Sequence, residues 1–511
     1  MAPDHPLNAN KARIVMLVRN GVVGDSRVQK SAASAAAAGW DVTLIGRSES
    51  GQTETWKIGD ADVRLVPVKR GFHAHNSRHG WLRAPLAYPP GPRRAQRERQ
   101  LRNWRAQIGE AKTRLAVEGH GLGTGAQTVR KLALAPRRAG VKLAGKWIDL
   151  RAKESARLTT SRKAMDSWID RVADRFWISV MGDKVWRRFD PRLWEYETAF
   201  GPVLDRLEAD LIHANDFEML GVGARAAMRR RAKGKRCKLV WDAHEFLPGM
   251  KPWVKHPRWH KAQIAHERDY ASSADGVVTV SEPIAKLLKD SHGLAELPTV
   301  VMNAPDVAAS KRPGPSPSIR EACGLGPEVP LIVYSGAISI QRGLGDMIEA
   351  LPQLHGVHCA LVVGKPEGDL AVELAARAAE LGVSGRLHIL PYVEYWQVVP
   401  FLSSADVGLI PIHHFQNHEL ALITKFFEYA HARLPIVVSD VETMGGMVRM
   451  TGQGEVFRAG DPVDLAVAVK RILADPKPYR ATLETGLLDE WTWAAQAERL
   501  HDMYRNLLSR G

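Results

Sequence analysis

Residues 13–45 read RIVMLVRNGVVGDSRVQKSAASAAAAGWDVTLI. The apolar run up to Val18 is continuous rather than alternating, the pattern of a strand covered on both faces. A Gly-containing loop, residues 19–25, follows it. Ser26 to Ala38 is Ala-rich with apolar positions at helical spacing, and Gly39 supplies a C-terminal stop. Trp40 to Ile45 is a second strand. This β-loop-α-β unit predicts a parallel sheet with helices on its faces.

The same rhythm recurs along most of the chain. Strands are expected at 63–68, 211–214, 239–243, 276–280 and 299–302, with helices at 220–231 and 282–290. The proline-rich stretch Lys311–Ser318 reads as a linker. A second series follows, with strands at 331–335, 359–363, 387–390, 407–410 and 435–438 and helices at 345–354, 370–381 and 424–432. The fold class is therefore α/β, with two tandem Rossmann-like, doubly wound domains facing a cleft. The domains are expected at 1–310 and 319–488, and a helix at 489–511 crosses back to the first.

The rhythm breaks between about 71 and 200. A Gly/Pro/His-rich lead-in gives way to charged helical sequence. From Lys69 to Lys163 there are 23 Lys/Arg against 5 Asp/Glu, a net of +18 in a chain whose total is +15. Tryptophans 81, 104 and 147 are interleaved with the charge, and Trp168 and Trp177 follow. The segment predicts a basic helical insertion on the first domain. It is a solvated cap, a surface for anionic lipid headgroups or a site for another polyanion. No nucleic-acid-binding module accompanies it, so nucleic acid is not the expected partner.

The 511 residues are 45 % apolar and 25 % charged, a composition that excludes pervasive disorder, collagen and a disulfide scaffold. Cys237, Cys323 and Cys359 stand far apart, with neither zinc spacing nor a disulfide framework. No run approaches the ~18–20 apolar residues of a membrane span. The polar N-terminus does not read as a signal peptide. These features predict a cytoplasmic protein, free or peripheral on the inner face of the cell membrane.

Ligands of doubly wound sheets bind beyond the C-terminal ends of strands, so the chemistry should follow strands. Asn20, Gly21 and Asp25 follow the first. His213 and Asp216 lie at another strand's end, and Asp242, His244 and Glu245 at the next. In the second half Gly336 opens a loop that ends at Arg342. Thr424 and Lys425 start a helix that carries Glu428. A lysine with helix-end N–H groups suits a phosphate, and a glutamate one turn on suits sugar hydroxyls. No Gly-x-Gly-x-x-Gly follows the first strand, which argues against a standard dinucleotide site. No P-loop, metal-ligand cluster or nucleophile-elbow serine is visible. Spacing alone leaves the reaction open.

Three segments resemble the GT-B-fold retaining glycosyltransferases of family four: residues 332–344, residues 390–411 and the run ITKFFEYAHARLPIVVSD at 423–440. The run GDSRV at 24–28, the run WDAHE at 241–245 and the Trp491-Thr-Trp493 helix resemble it more weakly. The resemblance implies sugar transfer from a nucleotide diphosphate sugar to an acceptor hydroxyl of a glycan, lipid-linked or small-molecule acceptor. It implies no metal and no cofactor. By position, Arg342 and Lys425 meet the donor diphosphate, Glu428 the ribose and Val393 the base. Asn20-Gly21 borders the phosphates, and His244, or alternatively His213, lines the donor sugar. The chain departs from the family at Ala337, where Arg is common. It departs again eight residues before Glu428, where Leu420 replaces a glutamate and the neighbouring acid is Glu419. These departures motivate two rival readings: a non-catalytic carbohydrate- or membrane-associated scaffold, and a nucleotide-sugar epimerase.

Overall fold

A computed structural model describes residues 11–72, 85–89, 92–118, 129, 132–164, 168–252, 256–308, 318–484 and 486–509. The chain divides into two compact units, one within 73–190 and 253–262, the other made by the remainder.

The larger unit holds two sheets. The first contains β1 (Arg13–Leu17), β2 (Asp41–Ser48), β3 (Glu54–Ile58), β4 (Ala61–Pro67), β5 (Leu211–Asn215), β6 (Lys238–Ala243), β7 (Gly276–Thr279) and β8 (Thr299–Val300). Their spatial order is β3-β4-β2-β1-β5-β6-β7-β8. Each pairing is parallel except β3 with β4. β1 lies between β2 and β5, where the strand order reverses, so the loops after β1 and β5 leave in opposite directions and open a crevice.

The second sheet contains β9 (Leu331–Ser335), β10 (His358–Val363), β11 (Leu387–Pro391), β12 (Val407–Ile410), β13 (Ile436–Ser439) and β14 (Gly454–Phe457). Its order is β11-β10-β9-β12-β13-β14, wholly parallel, with the reversal between β9 and β12. Apolar clusters cover it on both sides, as the continuous runs require. The last helix, Trp493–Ser509, sends Trp493, Ala497, Leu500, Tyr504 and Leu507 into the core of the first sheet. Their spacings of three and four are those of one helical face.

The smaller unit contains the helices Arg93–Glu118, Ala135–Ala164, Trp168–Met181 and Trp186–Phe189. The sequence placed the insertion at 71–200. In the structure the helix Leu193–Leu204 belongs to the larger unit, with Phe200 and Leu204 buried there, and residues 253–262 join the smaller one. Of the proline-rich 311–318 stretch only Ser318 is described, and the lead-in at 73–84 also lies outside the described residues.

Candidate active site

The loop after β9 is fixed by tyrosines. Tyr429 Oη accepts from Ser335 N at 2.8 Å, and the Tyr334 hydroxyl donates to Ala337 O at 2.6 Å. A short turn, Ile340–Arg342, then ends at Gly343. Gly343 has φ 67°, and a Cβ there would stand 1.8 Å from Pro411 O. Only glycine lets this turn close against the chain leaving β12. The turn holds Arg342 half-buried at its tip. Its guanidinium has no hydrogen bond or ion pair among the described residues, yet its charge reaches Glu245, Tyr334, Tyr392 and His418.

Lys425 Nζ and Glu428 Oε2 are 2.9 Å apart, one turn from each other on the helix Thr424–His431. A Cβ on Gly336 would crowd the Tyr334 hydroxyl at 3.0 Å and stand in ordinary contact with Lys425 Cε at 3.5 Å, which places the loop beside the lysine. Tyr392 follows β11 and lies against Gly364, 3.0 Å from where a Cβ would be. Burial raises its hydroxyl pKa, while Lys425 and Arg342 pull it down. Val393, next in the chain, packs partly on the apolar core. Gly336, Arg342, Tyr392, Lys425 and Glu428 thus share one region at the C-terminal edge of the second sheet.

The Thr424 hydroxyl accepts from Asn303 Nδ2 at 2.9 Å, which leaves its O–H to donate. Asn303 Oδ1 accepts in turn from Lys30 Nζ at 2.9 Å, and Lys30 also donates to Ala304 O at 2.5 Å. Lys30 is 5 % exposed and lies over the Trp493 ring. Burial lowers its pKa from 10.5 to about 7, with Arg27 adding to the shift and Glu428 opposing it. This chain of contacts joins the helix Ser26–Ala37 to the start of the Glu428 helix.

On the first sheet, His244 lies between two carboxylates. Nδ1 is 3.1 Å from Asp216 Oδ1, and Nε2 is 3.4 Å from Asp242 Oδ2. Burial opposes its protonation, but Asp216 and Asp242 outweigh that and raise its pKa well above 6.5. The two carboxylates thus favour the protonated imidazolium. Asp216 has φ 62°, a conformation uncommon for a residue with a Cβ. Beside it burial raises Glu218 to about 8, even though Arg19 Nε stands 3.3 Å away.

Several expected site residues serve the scaffold instead. His213 is wholly buried, with Nδ1 2.6 Å from the Tyr504 hydroxyl and Nε2 3.5 Å from Asp242. It cannot line a sugar. Asp242 is buried in the fork of Arg27, at 2.9 and 3.0 Å, and Arg27 also donates to Val301 O at 2.7 Å. Asn20 Nδ2 donates to Asp25 Oδ2 at 2.8 Å, and Asn20 Oδ1 accepts from Val22 N at 2.8 Å. Asp25 caps the following helix through Val28 N. Both side chains are spent on the loop, whose backbone is what faces outward. Gly21 has ordinary space around it. The close approach is at Gly46, where a Cβ would meet Asn20 O at 2.8 Å. Glu419 accepts from Glu442 N at 2.7 Å and pairs with His414 at 2.7 Å, so its carboxylate is occupied. Arg19, Glu218, Lys30 and Asn303 were not singled out in the sequence. Arg19 and Glu218 flank strand ends, which was the available signal, whereas Lys30 looks like any helical lysine.

The family model for glycosyl transferases group 1 matches residues 316–486, and that for glycosyltransferase family 4 matches 165–308. The chain is 24 % identical over 271 residues to a D-inositol 3-phosphate glycosyltransferase of Geodermatophilus obscurus, covering 46 % of this chain and 59 % of that protein. It is 26 % identical over 347 residues to an alpha-maltose-1-phosphate synthase of Mycobacterium tuberculosis, covering 63 % and 87 %. The chain spans 56–65 % of the length of the first three inositol-phosphate relatives it matches. Among solved structures, sucrose-phosphate synthase of Thermosynechococcus elongatus aligns over 98 % of this chain and 100 % of that one, with TM-score 0.63 and 15 % identity. Anabaena HepE in complex with UDP and glucose aligns over 97 % and 100 %, with TM-score 0.57 and 14 % identity. These likenesses establish the GT-B fold.

Proposed function

Since the chain belongs to the group 1, family-four glycosyltransferases, we propose that it transfers a sugar from a nucleotide diphosphate sugar to an acceptor hydroxyl, with retention. The observation that carries this is Arg342, a guanidinium without a protein partner among the described residues, beside a Lys425–Glu428 pair. A diphosphate laid across the Gly336–Gly343 loop meets Arg342 and draws Lys425 away from Glu428. The freed Glu428 carboxylate then accepts from ribose hydroxyls. Tyr392 and the Val393 backbone border the base.

Negative charge develops on the departing diphosphate in the transition state. Arg342 and Lys425 stabilise it there, which is electrostatic catalysis without a metal ion. The acceptor oxygen attacks C1 on the face the diphosphate leaves. The C1–O phosphate bond breaks as the new glycosidic bond forms, and the leaving phosphate oxygen takes the acceptor's proton. His244, held by Asp216 and favoured in its protonated form, lines the donor sugar.

One relative is named for inositol 3-phosphate and another for maltose 1-phosphate, which supports a phosphorylated small-molecule acceptor, and a lipid-linked acceptor fits the basic segment within 71–200. That segment is the side proposed to meet an anionic membrane from the cytoplasm. No helix among the described residues is long and apolar enough to cross one.

The test is release of nucleoside diphosphate from uridine, guanosine and thymidine diphosphate sugars, with chelator present and with Arg342→Ala as control. Nuclear magnetic resonance of the product gives the anomer. Turnover lost to chelator overturns the metal-free step, and an inverted anomer overturns retention.

A further inference from the structure

The helix Trp168–Met181 is amphipathic in the reverse sense. Its two aspartates are buried while most of its large apolar side chains are in water. Asp170 and Asp174 are buried, and Asp174 takes Arg258 Nε at 2.7 Å and Lys261 Nζ at 2.9 Å. Trp168 is 68 % exposed and Phe176 55 %, and Ile169, Val172 and Val180 are exposed with them. At 100° per residue these five side chains fall within an arc of about 120°. Arg171 and Arg175, both exposed, border one edge of it. A helix that only packed on its own unit would turn this stripe inward, because each buried side chain of this size stabilises by ~1.5–3 kcal/mol. Here the fold holds the stripe outward with a buried ion pair on the opposite face.

The charge around the stripe identifies what covers it. The preceding Lys69–Lys163 segment carries a net of +18. The helix Ala135–Ala164 adds an exposed Leu143 and Trp147 beside exposed Lys142 and Lys146. A 310 Å³ cleft in the same unit is lined by Tyr88, Arg93, Arg97 and Arg151, with Arg151 4.2 Å over the Tyr88 ring. A single-stranded nucleic acid matches the charge and stacks its bases on aromatic rings such as Trp168 and Phe176, but offers nothing for the exposed aliphatic Ile169, Val172 and Val180. A bilayer rich in anionic lipid matches both, because tryptophan and phenylalanine enter the acyl boundary while arginines stay among the headgroups.

We infer that the helix Trp168–Met181 inserts its Trp168–Val172–Phe176 stripe into the surface of an anionic bilayer and lies parallel to it. This rests on the reading that the basic segment meets an anionic membrane, and adds that binding is by apolar insertion as well as charge. The experiment is flotation of the full chain with vesicles of equal parts phosphatidylglycerol and phosphatidylcholine, against phosphatidylcholine alone. The wild-type chain floats with the anionic vesicles. The double variant Val172→Asp, Phe176→Asp loses about tenfold or more in partitioning, and Phe176→Leu does not. Circular dichroism and the thermal midpoint of both variants stay at wild-type values, since the stripe faces water. Wild-type protein that stays at the bottom overturns membrane docking and this inference together. Wild-type and double-variant proteins that float alike overturn the insertion and leave charge-driven docking standing. A lipid-free dimer dissociated by the double variant assigns the stripe to a second copy and overturns the inference.

Discussion

Replacing Lys30 by methionine isolates the effect of one buried charge on stability. In the unfolded chain the lysine titrates near 10.5, and in the folded protein near 7. At 1.36 kcal/mol per pH unit, holding the proton on the buried amine costs about 5 kcal/mol. That cost is full below pH 7. It is relieved as pH rises through the folded pKa, because the unfolded state then binds more protons than the folded one. Wild-type stability from this group therefore grows with pH, by about 2.5 kcal/mol between about pH 6 and about pH 9. Methionine fills similar volume without a charge, so Lys30→Met lacks this term. It also forfeits the hydrogen bonds to Asn303 and Ala304 O, of which those from a charged donor are worth ~1.5–3 kcal/mol each. The two effects nearly cancel in acid. In alkali the variant falls behind. Urea unfolding of both proteins across that pH range, read as the difference in stability, is the measurement. A difference that stays constant with pH refutes the assignment of a depressed pKa to Lys30.

Three further outcomes are expected. Arg342→Ala lowers kcat in sugar transfer by about 10²–10³-fold while the thermal midpoint stays put, because the guanidinium has no protein partner to lose. Gly343→Ala lowers stability by about 1–3 kcal/mol or more in thermal unfolding, since the new Cβ would collide with Pro411 O at a positive φ. Glu218, raised from 4.5 to about 8, favours folding most below pH 4.5 and loses that contribution as pH rises through 8. Glu218→Gln is accordingly level with wild type in acid and more stable than it near pH 8, as denaturant titrations at the two pH values will show.

The sheets were legible because strands buried on both faces read as uninterrupted apolar runs. β3 was not, since Glu54–Ile58 is an exposed edge with charged Glu54 and Lys57 and pairs antiparallel. β14 was missed for its brevity: four residues beginning with glycine. Arg342, Lys425 and Glu428 were proposed from motif position, and the structure brings them to one edge of the second sheet. The choice between His213 and His244 was beyond the sequence. His244 follows β6, whereas His213 lies inside β5 and is closed off by Tyr504, 291 residues away. The same distance effect hid Lys30, whose partners Asn303 and Trp493 belong to remote segments. Asn20 and Asp25 were proposed as site residues, and their side chains pair with each other, a short-range competition that motif reading does not weigh.

The position of the insertion bears on how the chain folds. β1 pairs with β2 and with β5, so residue 14 waits for residue 211 before its strand has both neighbours. Closing a loop of about 140 residues costs only roughly 2 kcal/mol more than closing one of ten, because the entropy grows with the logarithm of length. A helical unit inserted mainly between β4 and β5 is therefore cheap to stability. Its consequence is kinetic. The edge of β1 stays unpaired on the ribosome until the insertion and β5 are made, and the core gains its last helix only when Trp493–Ser509 arrives. Such high contact order slows folding and prolongs the exposure of the unpaired edge of β1. Nascent chains of this protein are thus expected to depend on chaperone holding until residues near 509 emerge.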